Sequence, residues 1–534
     1  MTGPCYACYC TQRRLAWPGI NVNRERTFST TICSTPVRLP AASAGLVPGA
    51  VVLVALALYL PTLAPSITWR NGGADSGDFA TAVLTRGVPH PPGYPTYVLL
   101  ALVWTALPLP GDVALRLNLL SAGGAAVASG LSAATVVVLG RRAGLGGAGL
   151  GVAALLAGLA LAASPLLWSQ ATIAEVYASG LAALALFGLL TLSWEPAPRL
   201  RDVLPAVLVG GLGLGVLPQI GLAAPGALGL LVARAGWRAL SLQWLAAILA
   251  AGALGLGTFA YLPLRAAAHP AVVWGEPTSL AGFWEVVSAA WYKVYFLAGL
   301  DAAGWLARVG ASLAIVGENV SGPGLILAVL GAAVLWRCDR AALGYLLSLA
   351  ILTVLFRASY LAEGNVVYLL PAVYVGLLLA GLGAAWLLAA AGERGRRWPV
   401  ALTVVLALLL AWRTVLVAPE IDASNDWTAV DISERLLRAM PEGAILVSDY
   451  DETTFALWYL QALGRRPDVV VVDARLIFRD WYQRQLVQRY PDLNPAAVTP
   501  SGLTALGRPI YRIVGGPERA VPRPVVPVPE PPAG

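Results

Sequence analysis

The stretch LVPGAVVLVALALYLPTLA, residues 46–64, carries no charged side chain, and as a helix it is long enough to cross a hydrocarbon core of about 30 Å. Apolar runs of 17 or more residues recur from Val51 to Val417. The chain of 534 residues is 58% hydrophobic and 12% charged, with a mean hydropathy of +0.70, whereas soluble domains carry about 25% charged residues. These figures exclude an ordinary water-soluble enzyme and predict an all-α polytopic membrane protein.

The net charge of +7 comes almost wholly from arginine, since Lys293 is the only lysine. The arginines cluster in short turns between apolar runs, where cytoplasmic loops collect them, so we expect no nucleic-acid partner. Counting every apolar run predicts about 13 spans. About 11 spans remain, with every basic cluster inside the cell, if segments 93–109 and 303–318 lie at the interface or re-enter. The polar loops and the C-terminal domain then face outward.

The chain divides into four parts. Residues 1–45 form a basic leader with four of the five cysteines, which favours a disordered segment or an early start codon over a metal site. Residues 46–418 form the membrane body, residues 419–516 a small α/β domain outside the membrane, and residues 517–534 a proline-rich tail expected to be disordered. The Ala, Gly, Leu and Arg bias is typical of GC-rich bacterial genomes and predicts the bacterial cytoplasmic membrane as the location.

The first outer loop, SITWRNGGADSGDFATAVLTRGVPHPPGYP (66–95), holds the candidate catalytic residues Asp75 and Asp78 and the candidate substrate- or donor-binding residue His90. Carboxylates beside a membrane are costly unless they are solvated or used. Two carboxylates three residues apart lie on one side of a helical turn, so one could act as a base and the other orient it. The alternative is a solvated loop whose aspartates occupy turn or N-cap positions beside glycine.

Further polar residues stand in the other outer loops. Arg265, at the end of a membrane helix, is placed to grip a phosphate or carboxylate, or simply to anchor the helix at the interface. His269 and Glu276 follow it in the same loop and are, like Arg265, candidate binding residues. Four more candidate binding residues lie in two smaller motifs, SQATIAEVYASG and RASYLAEGNVVYLLP: Glu175, Tyr177, Asn365 and Tyr368.

The α/β domain contains a strand at 444–450, a helix at 454–464 and a strand at 468–474, with Asp449, Asp451 and Glu452 after the first strand. Acidic residues there either bind a ligand or cap the helix. The sequence contains no P-loop, GxSxG or HExxH motif and no metal-ligand cluster. We therefore assign no metal ligand and leave a divalent cation open.

A set of motifs in order resembles a known family: DSGDF, HPPGYP, RLNLLSA, AEVY, YLPLR, WGEP, YLLP, DYDETTFALWYLQ and RPDVVVVD. Over about residues 46–490 the chain resembles bacterial relatives of the vertebrate transmembrane protein O-mannosyltransferases that modify plexin-type receptor domains. That family is similar to the membrane glycosyltransferases of the GT-C fold, which take sugar from a polyprenyl-phosphate donor. Where relatives often carry Glu in the second acidic position, this chain has Asp78, and the repeat-containing C-terminal region of the vertebrate protein is not visible.

The resemblance implies a GT-C glycosyltransferase with Asp75 as the catalytic acid-base residue of the first outer loop. The expected reaction moves a sugar, mannose by resemblance, from the lipid-linked donor to an acceptor hydroxyl, Ser or Thr of a protein or a glycan, in one inverting displacement. Arg265 would meet the departing phosphate. The main alternative is a transporter or lipid flippase, which predicts buried mid-membrane charges and repeated halves.

Overall fold

The structure is a computed structural model that describes residues 41–362, 364–499 and 501–525. The first 40 residues, with the cysteine-containing part of the predicted leader, lie outside the described residues, as does the tail from residue 526.

Seventeen α-helices precede the α/β domain in the described chain. They are α1 (Ala41–Tyr59), α2 (Ser76–Thr85), α3 (Pro95–Thr105), α4 (Val113–Arg142), α5 (Gly147–Ala162), α6 (Pro165–Ala171), α7 (Val176–Leu192), α8 (Leu200–Leu214), α9 (Ala224–Ala235), α10 (Leu242–Leu256), α11 (Tyr261–Ala266), α12 (Leu280–Val287), α13 (Ala302–Val320), α14 (Gly322–Cys338), α15 (Arg340–Ser359), α16 (Leu370–Gly392) and α17 (Arg397–Ile421). Short 3-10 helices link several of them, including Arg70–Asp75, Ala290–Tyr295 and Asn365–Leu369.

Six helical segments of the described chain are long and apolar enough to cross a membrane, or up to eight if each of two bent pairs is one span. The predicted number of about 11 is higher in part because it also counts α1 and α7, whose apolar helical lengths fall just below this limit. The segment predicted at 93–109 is the 11-residue helix α3, which spans only about 16 Å. The segment predicted at 303–318 is α13, which meets α14 at 97°. These two helices therefore cannot both run along a membrane normal.

The basic turns gather at one end of the helical bundle. Arg142, at the end of α4, donates to the carbonyl of Trp194 at 2.9 Å, just after α7. Arg234, in the last turn of α9, pairs with Asp339 between α14 and α15. The opposite ends of α4 and α7 adjoin the loops that carry the acidic residues. The structure thus separates the basic turns from the acidic loops, while the membrane side that each faces stays a prediction.

The C-terminal domain is built around a small sheet. Its elements are α18 (Thr428–Arg438), β1 (Ile445–Ser448), α19 (Asp451–Ala462), β2 (Val470–Asp473), α20 (Asp480–Arg489), β3 (Ile510–Val514) and β4 (Val521–Pro524). The strand order is β2-β1-β3-β4, with β1 parallel to β2 and β3, and β4 antiparallel to β3. The β1-α19-β2 unit confirms the predicted strand-helix-strand pattern.

One sequence expectation for this domain needs correction. The proline-rich tail predicted from residue 517 begins with a short 3-10 helix and then forms strand β4, so residues 521–524 belong to the sheet. Proline is compatible with this position because β4 is an edge strand, where a backbone N–H can be missing without breaking an inner ladder.

The C-terminal domain shares a hydrophobic core with the first polar loop. Phe79 of α2 and Phe455 of α19 lie in the same buried cluster. The two helices approach so closely that a Cβ added at Gly77 would lie 2.5 Å from the carbonyl oxygen of Phe455. The membrane helices form a separate buried cluster. Helix α19 therefore covers the DSGDF segment, although the boundaries predicted at 418 and 516 stay predictions.

Candidate active site

A kinked 3-10 segment presents Asp75 at the start of α2. Within Arg70–Asp75, Asn71 and Gly72 adopt positive φ angles of 60° and 80°. The amide of Asn71 donates to the carbonyl of Ile421 at 2.7 Å and to the Thr172 hydroxyl at 2.9 Å, which ties the segment to the end of α17. Asp75 occupies the N-cap position of α2, but its side chain accepts no hydrogen bond from the described helix backbone. The capping alternative therefore does not account for Asp75.

Asp75, Asp78 and His90 form one cluster, which we call the Asp75 cluster. The carboxylate of Asp78 is fully buried, and its Oδ2 lies 2.8 Å from Nδ1 of His90. The same oxygen accepts the backbone N–H of His90 at 2.9 Å. On the other side of the ring, Nε2 of His90 lies 3.7 Å from Oδ2 of Asp75, whose side chain is 34% exposed. His90 is thus held between a buried carboxylate and an accessible one.

His90 and Asp75 both have shifted pKa values, which set their protonation states. Burial lowers the pKa of His90, but the charge of Asp75 and the hydrogen bond that His90 donates to Asp78 outweigh burial and raise this pKa to about 9. Burial raises the pKa of Asp75 to about 6, with His90 acting in the opposite direction and Asp451 adding to the rise. At neutral pH His90 is therefore a cation, and Asp75 is mostly a carboxylate.

Aromatic residues enclose His90, and sequence reasoning did not assign them to the site. The indole Nε1 of Trp274 donates to Oδ1 of Asp78 at 3.0 Å. The ring of Phe455 stacks on His90 at 6.5 Å and 6°, and Tyr94 meets it edge-on at 5.3 Å. Trp274 is the first residue of the WGEP motif. Its role depends on the pairing of Val88 with Val273 between two distant loops, which local pattern does not reveal.

Glu175 and Tyr177 lie at the start of α7, as predicted, on the side of the Asp75 cluster. Glu175 is almost fully buried, and its carboxylate accepts the N–H of Val176 at 3.3 Å. Burial raises the pKa of Glu175 well above its usual value, and Asp75 adds to the rise, which favours the protonated acid. Tyr177 and Tyr368 pack ring against ring at 5.8 Å.

The four predicted residues Glu175, Tyr177, Asn365 and Tyr368 therefore fall into two settings. Glu175, Tyr177 and Tyr368 border the cluster. Asn365 is buried and donates through its amide to the carbonyl of Tyr360, which closes the turn before the 3-10 helix Asn365–Leu369. Asn365 thus supports the loop that carries Tyr368.

The other three predicted binding residues lie elsewhere. Nε of Arg265 donates to the carbonyl of Arg86 at 2.7 Å, at the far end of α2, about 15 Å along that helix from Asp75. His269 is exposed in the turn after α11. Glu276 is half exposed and pairs with Arg484 of α20. The structure therefore does not bring these three side chains to the Asp75 cluster.

The acidic residues after β1 are largely engaged with arginine. Asp449 accepts two hydrogen bonds from Arg512, at 2.8 and 2.6 Å. Asp451 pairs with Arg475 at 2.5 Å. The carbonyl of Glu452 accepts the indole N–H of Trp69 at 2.9 Å, which links α19 to the first outer loop. The bond from Trp69 helps to hold the start of α19 against the segment before α2, whereas the two arginine pairs lie within the C-terminal domain. Over the ranges that the structure describes, no group of three His, Cys, Asp or Glu side chains has a geometry suited to a metal ion.

Parts of the chain are similar in sequence to a defined protein family. Residues 75–241 match the model of the protein O-mannosyl-transferase TMEM260 N-terminal domain, and residues 429–502 match TMEM260-associated domain 2. The protein O-mannosyl-transferase TMEM260 of Mus musculus is 28% identical over 470 residues, which cover 81% of this chain. The match spans only 64% of the mouse protein, a little less than two thirds of its length.

Two solved structures share the fold. ArnT from Cupriavidus metallidurans in the apo state superposes with a TM-score of 0.54 and 14% identity, covering 82% of this chain and 92% of ArnT. The same enzyme bound to undecaprenyl phosphate gives a TM-score of 0.51 and 13% identity, covering 89% and 93%. The chain is therefore similar in sequence to the TMEM260 protein O-mannosyl-transferases and has the GT-C fold seen in ArnT.

Proposed function

We propose that the chain is a membrane glycosyltransferase that moves a sugar from a polyprenyl-phosphate donor to an acceptor hydroxyl, with Asp75 as the general base. The observation that carries the proposal is the arrangement of the Asp75 cluster, in which a histidine lies between one accessible carboxylate and one buried carboxylate. Asp75 removes the proton of the acceptor hydroxyl while the acceptor oxygen forms its bond to the anomeric carbon. The bond from that carbon to the phosphate oxygen breaks, and polyprenyl phosphate leaves with the electron pair.

Asp78 and His90 act on Asp75 rather than on the substrate. The positive charge of His90 stabilises the ionised form of Asp75, because the two side chains face each other at 3.7 Å. Asp78 fixes the orientation and the charge of His90 through two hydrogen bonds. With a pKa of about 6, Asp75 is ionised at neutral pH and still basic enough to assist proton removal.

A single available carboxylate supports inversion. A retaining glycosidase needs one carboxyl group as nucleophile and a second as acid-base catalyst. Here Asp78 is fully buried and its oxygens are engaged by His90 and Trp274, so of the two aspartates in the cluster Asp75 is the one that can reach a substrate. Because phosphate is already a good leaving group, the reaction needs no acid to protonate it, and one base is sufficient.

The identity of the substrates is the finer part of the proposal. The name of the mouse relative supports mannose as the sugar and a protein hydroxyl, Ser or Thr, as the acceptor. The ArnT structure bound to undecaprenyl phosphate supports a polyprenyl-phosphate lipid as the carrier. The arginine distribution and the separation of the basic turns from the acidic loops support placing the Asp75 cluster on the outer side of the membrane. The Ala, Gly, Leu and Arg bias supports a bacterial cytoplasmic membrane as the location.

The proposal is tested by incubating the purified full chain in lipid nanodiscs with radiolabelled polyprenyl-phosphate mannose and a Ser/Thr-containing acceptor peptide. Polyprenyl-phosphate glucose and a nucleotide-linked mannose serve as alternative donors. We expect transfer from a lipid-linked donor, with release of one polyprenyl phosphate for each sugar transferred. An absence of transfer from every lipid-linked sugar, across peptide, glycan and lipid acceptors, would contradict the proposed function.

A further inference from the structure

Two neighbouring arginines carry charge that the described side chains do not neutralise. Arg357 lies in the last turn of α15, and Arg308 lies on α13. Neither forms an ion pair with a described Asp or Glu side chain. Arg357 is only 8% exposed. A buried cation without a counter-charge is costly, so an anion at this position would stabilise the arrangement.

The contacts of the two guanidinium groups differ. Arg308 donates through Nε to the carbonyl of Ala358 at 2.9 Å and through Nη2 to the carbonyls of Tyr360 at 2.9 Å and Arg357 at 3.3 Å. It thereby caps the C-terminus of α15, where the helix dipole favours a cation. Arg357 donates through Nη1 to the Ser312 hydroxyl at 3.2 Å and the carbonyl of Arg308 at 3.5 Å. Its buried Nε has no hydrogen-bond partner among the described atoms.

The arginine pair is connected to the Asp75 cluster by aromatic side chains. Arg308 holds the backbone of Tyr360. The ring of Tyr360 lies 5.7 Å from that of Tyr368, which lies 5.8 Å from that of Tyr177 at the start of α7. Both the arginines and the cluster therefore lie at the same end of the bundle. Helix α15 is a candidate membrane span, so Arg357 stands near the level of lipid headgroups.

We propose that Arg357 and Arg308 bind the phosphate of the lipid-linked sugar donor. The inference rests on the proposed function and assigns the phosphate to a site other than Arg265. A guanidinium matches a phosphate with two parallel N–H donors, and Nε is one of the donors that such a fork uses. The site at the outer end of α15 lets the isoprenoid chain remain in the lipid while the sugar reaches toward Asp75.

The test measures binding and does not depend on turnover. The full chain in nanodiscs is titrated with undecaprenyl phosphate, and the affinity is compared with that for undecaprenol, which has the same tail without the phosphate. Arg357→Gln is expected to weaken undecaprenyl phosphate binding at least tenfold and to leave undecaprenol binding unchanged. Arg308→Gln is expected to weaken it too. Arg357→Lys, which keeps the charge without the fork, is expected to give an intermediate loss and covers the case in which Arg357→Gln does not fold.

Arg413→Gln is the matched control, because Arg413 also donates to carbonyls at a helix end, those of Glu318 and Asn319. The affinity of Arg413→Gln for undecaprenyl phosphate is expected to stay within twofold of that of the wild type. Competition by inorganic phosphate would support recognition of the phosphate itself. Equal competition by phosphatidylglycerol would assign the site to bulk lipid headgroups and overturn the donor assignment.

The failure of this inference is distinguishable from failure of the proposed function. If folded Arg357→Gln and Arg308→Gln bind undecaprenyl phosphate with unchanged affinity while transfer still depends on Asp75, the phosphate site alone is overturned. Arginine-dependent binding without transfer from any donor would retain the phosphate site and overturn the proposed function.

Discussion

Asp78 and Trp274 are joined by a hydrogen bond of 3.0 Å, although 196 residues separate them in the chain. The bond connects the polar loop that carries Asp78 with the polar loop that carries Trp274, and it holds the buried carboxylate that orients His90. The bridge between Val88 and Val273 runs beside it, with the N–H of Trp274 donating to the carbonyl of Val88 at 3.1 Å. The geometry of the Asp75 cluster therefore depends on the loop that carries Trp274 as well as on the loop that carries Asp78.

Replacing Trp274 by Phe should impair catalysis by releasing one oxygen of Asp78. An unsatisfied buried acceptor costs about 1–3 kcal/mol, and we expect a loss of roughly tenfold in kcat, with a smaller change in the KM for donor. The measurement is steady-state transfer at saturating acceptor. Trp291→Phe is the control, since the indole of Trp291 donates to the exposed Glu285 instead. Equal losses in both variants would argue against a specific role for the bond to Asp78.

The pH dependence of transfer should report the ionisation of Asp75. Because the pKa of Asp75 is raised to about 6, the base is protonated and inactive below that pH, and kcat/KM should fall as pH falls through about 6. The charge of His90 lowers this pKa, so His90→Gln should move the acidic limb upward by about one pH unit or more. A pH profile from 4.5 to 8, at constant ionic strength, checks both. An unchanged limb in His90→Gln would contradict the coupling.

The close approach of α2 and α19 should make Gly77 intolerant of a side chain. A Cβ at Gly77 would meet the carbonyl carbon and oxygen of Phe455 at 2.5 Å, so Gly77→Ala must push the helices apart. We expect a destabilisation of about 1–3 kcal/mol and reduced transfer. Gly123→Ala, inside α4 with no described atom within 4 Å of the added Cβ, is expected to be neutral or slightly stabilising. Thermal unfolding of the two variants in the same detergent makes the comparison.

The sequence predicted three features: the membrane body, the β1-α19-β2 unit, and the separation of the basic turns from the acidic loops. These could be predicted because hydropathy, the spacing of apolar residues and charge are local signals. The three-residue spacing of Asp75 and Asp78 also predicted that both would lie on one side of a helical turn, and both do face His90. The family resemblance supplied the choice of Asp75.

The remaining site residues could not be found in this way, because they come together through tertiary contacts between distant segments. Phe455 stacks on His90 only because α19 of the C-terminal domain packs on α2. Arg265 looked well placed for a phosphate, yet its guanidinium binds the carbonyl at the far end of α2. Strand β4 was missed because its prolines are typical of disorder, and only pairing with β3 makes it a strand.

The measurement that tests the central claim most directly is transfer by Asp75→Asn. Purified wild type, Asp75→Asn and the control Asp431→Asn, an exposed position on α18, are compared in single turnover with the lipid-linked donor that is active in the wild type. We expect Asp75→Asn to keep the wild-type melting temperature and donor affinity and to lose transfer by a factor of about 10²–10⁴, with Asp431→Asn unchanged. Transfer by Asp75→Asn within a few fold of the wild type would contradict the account.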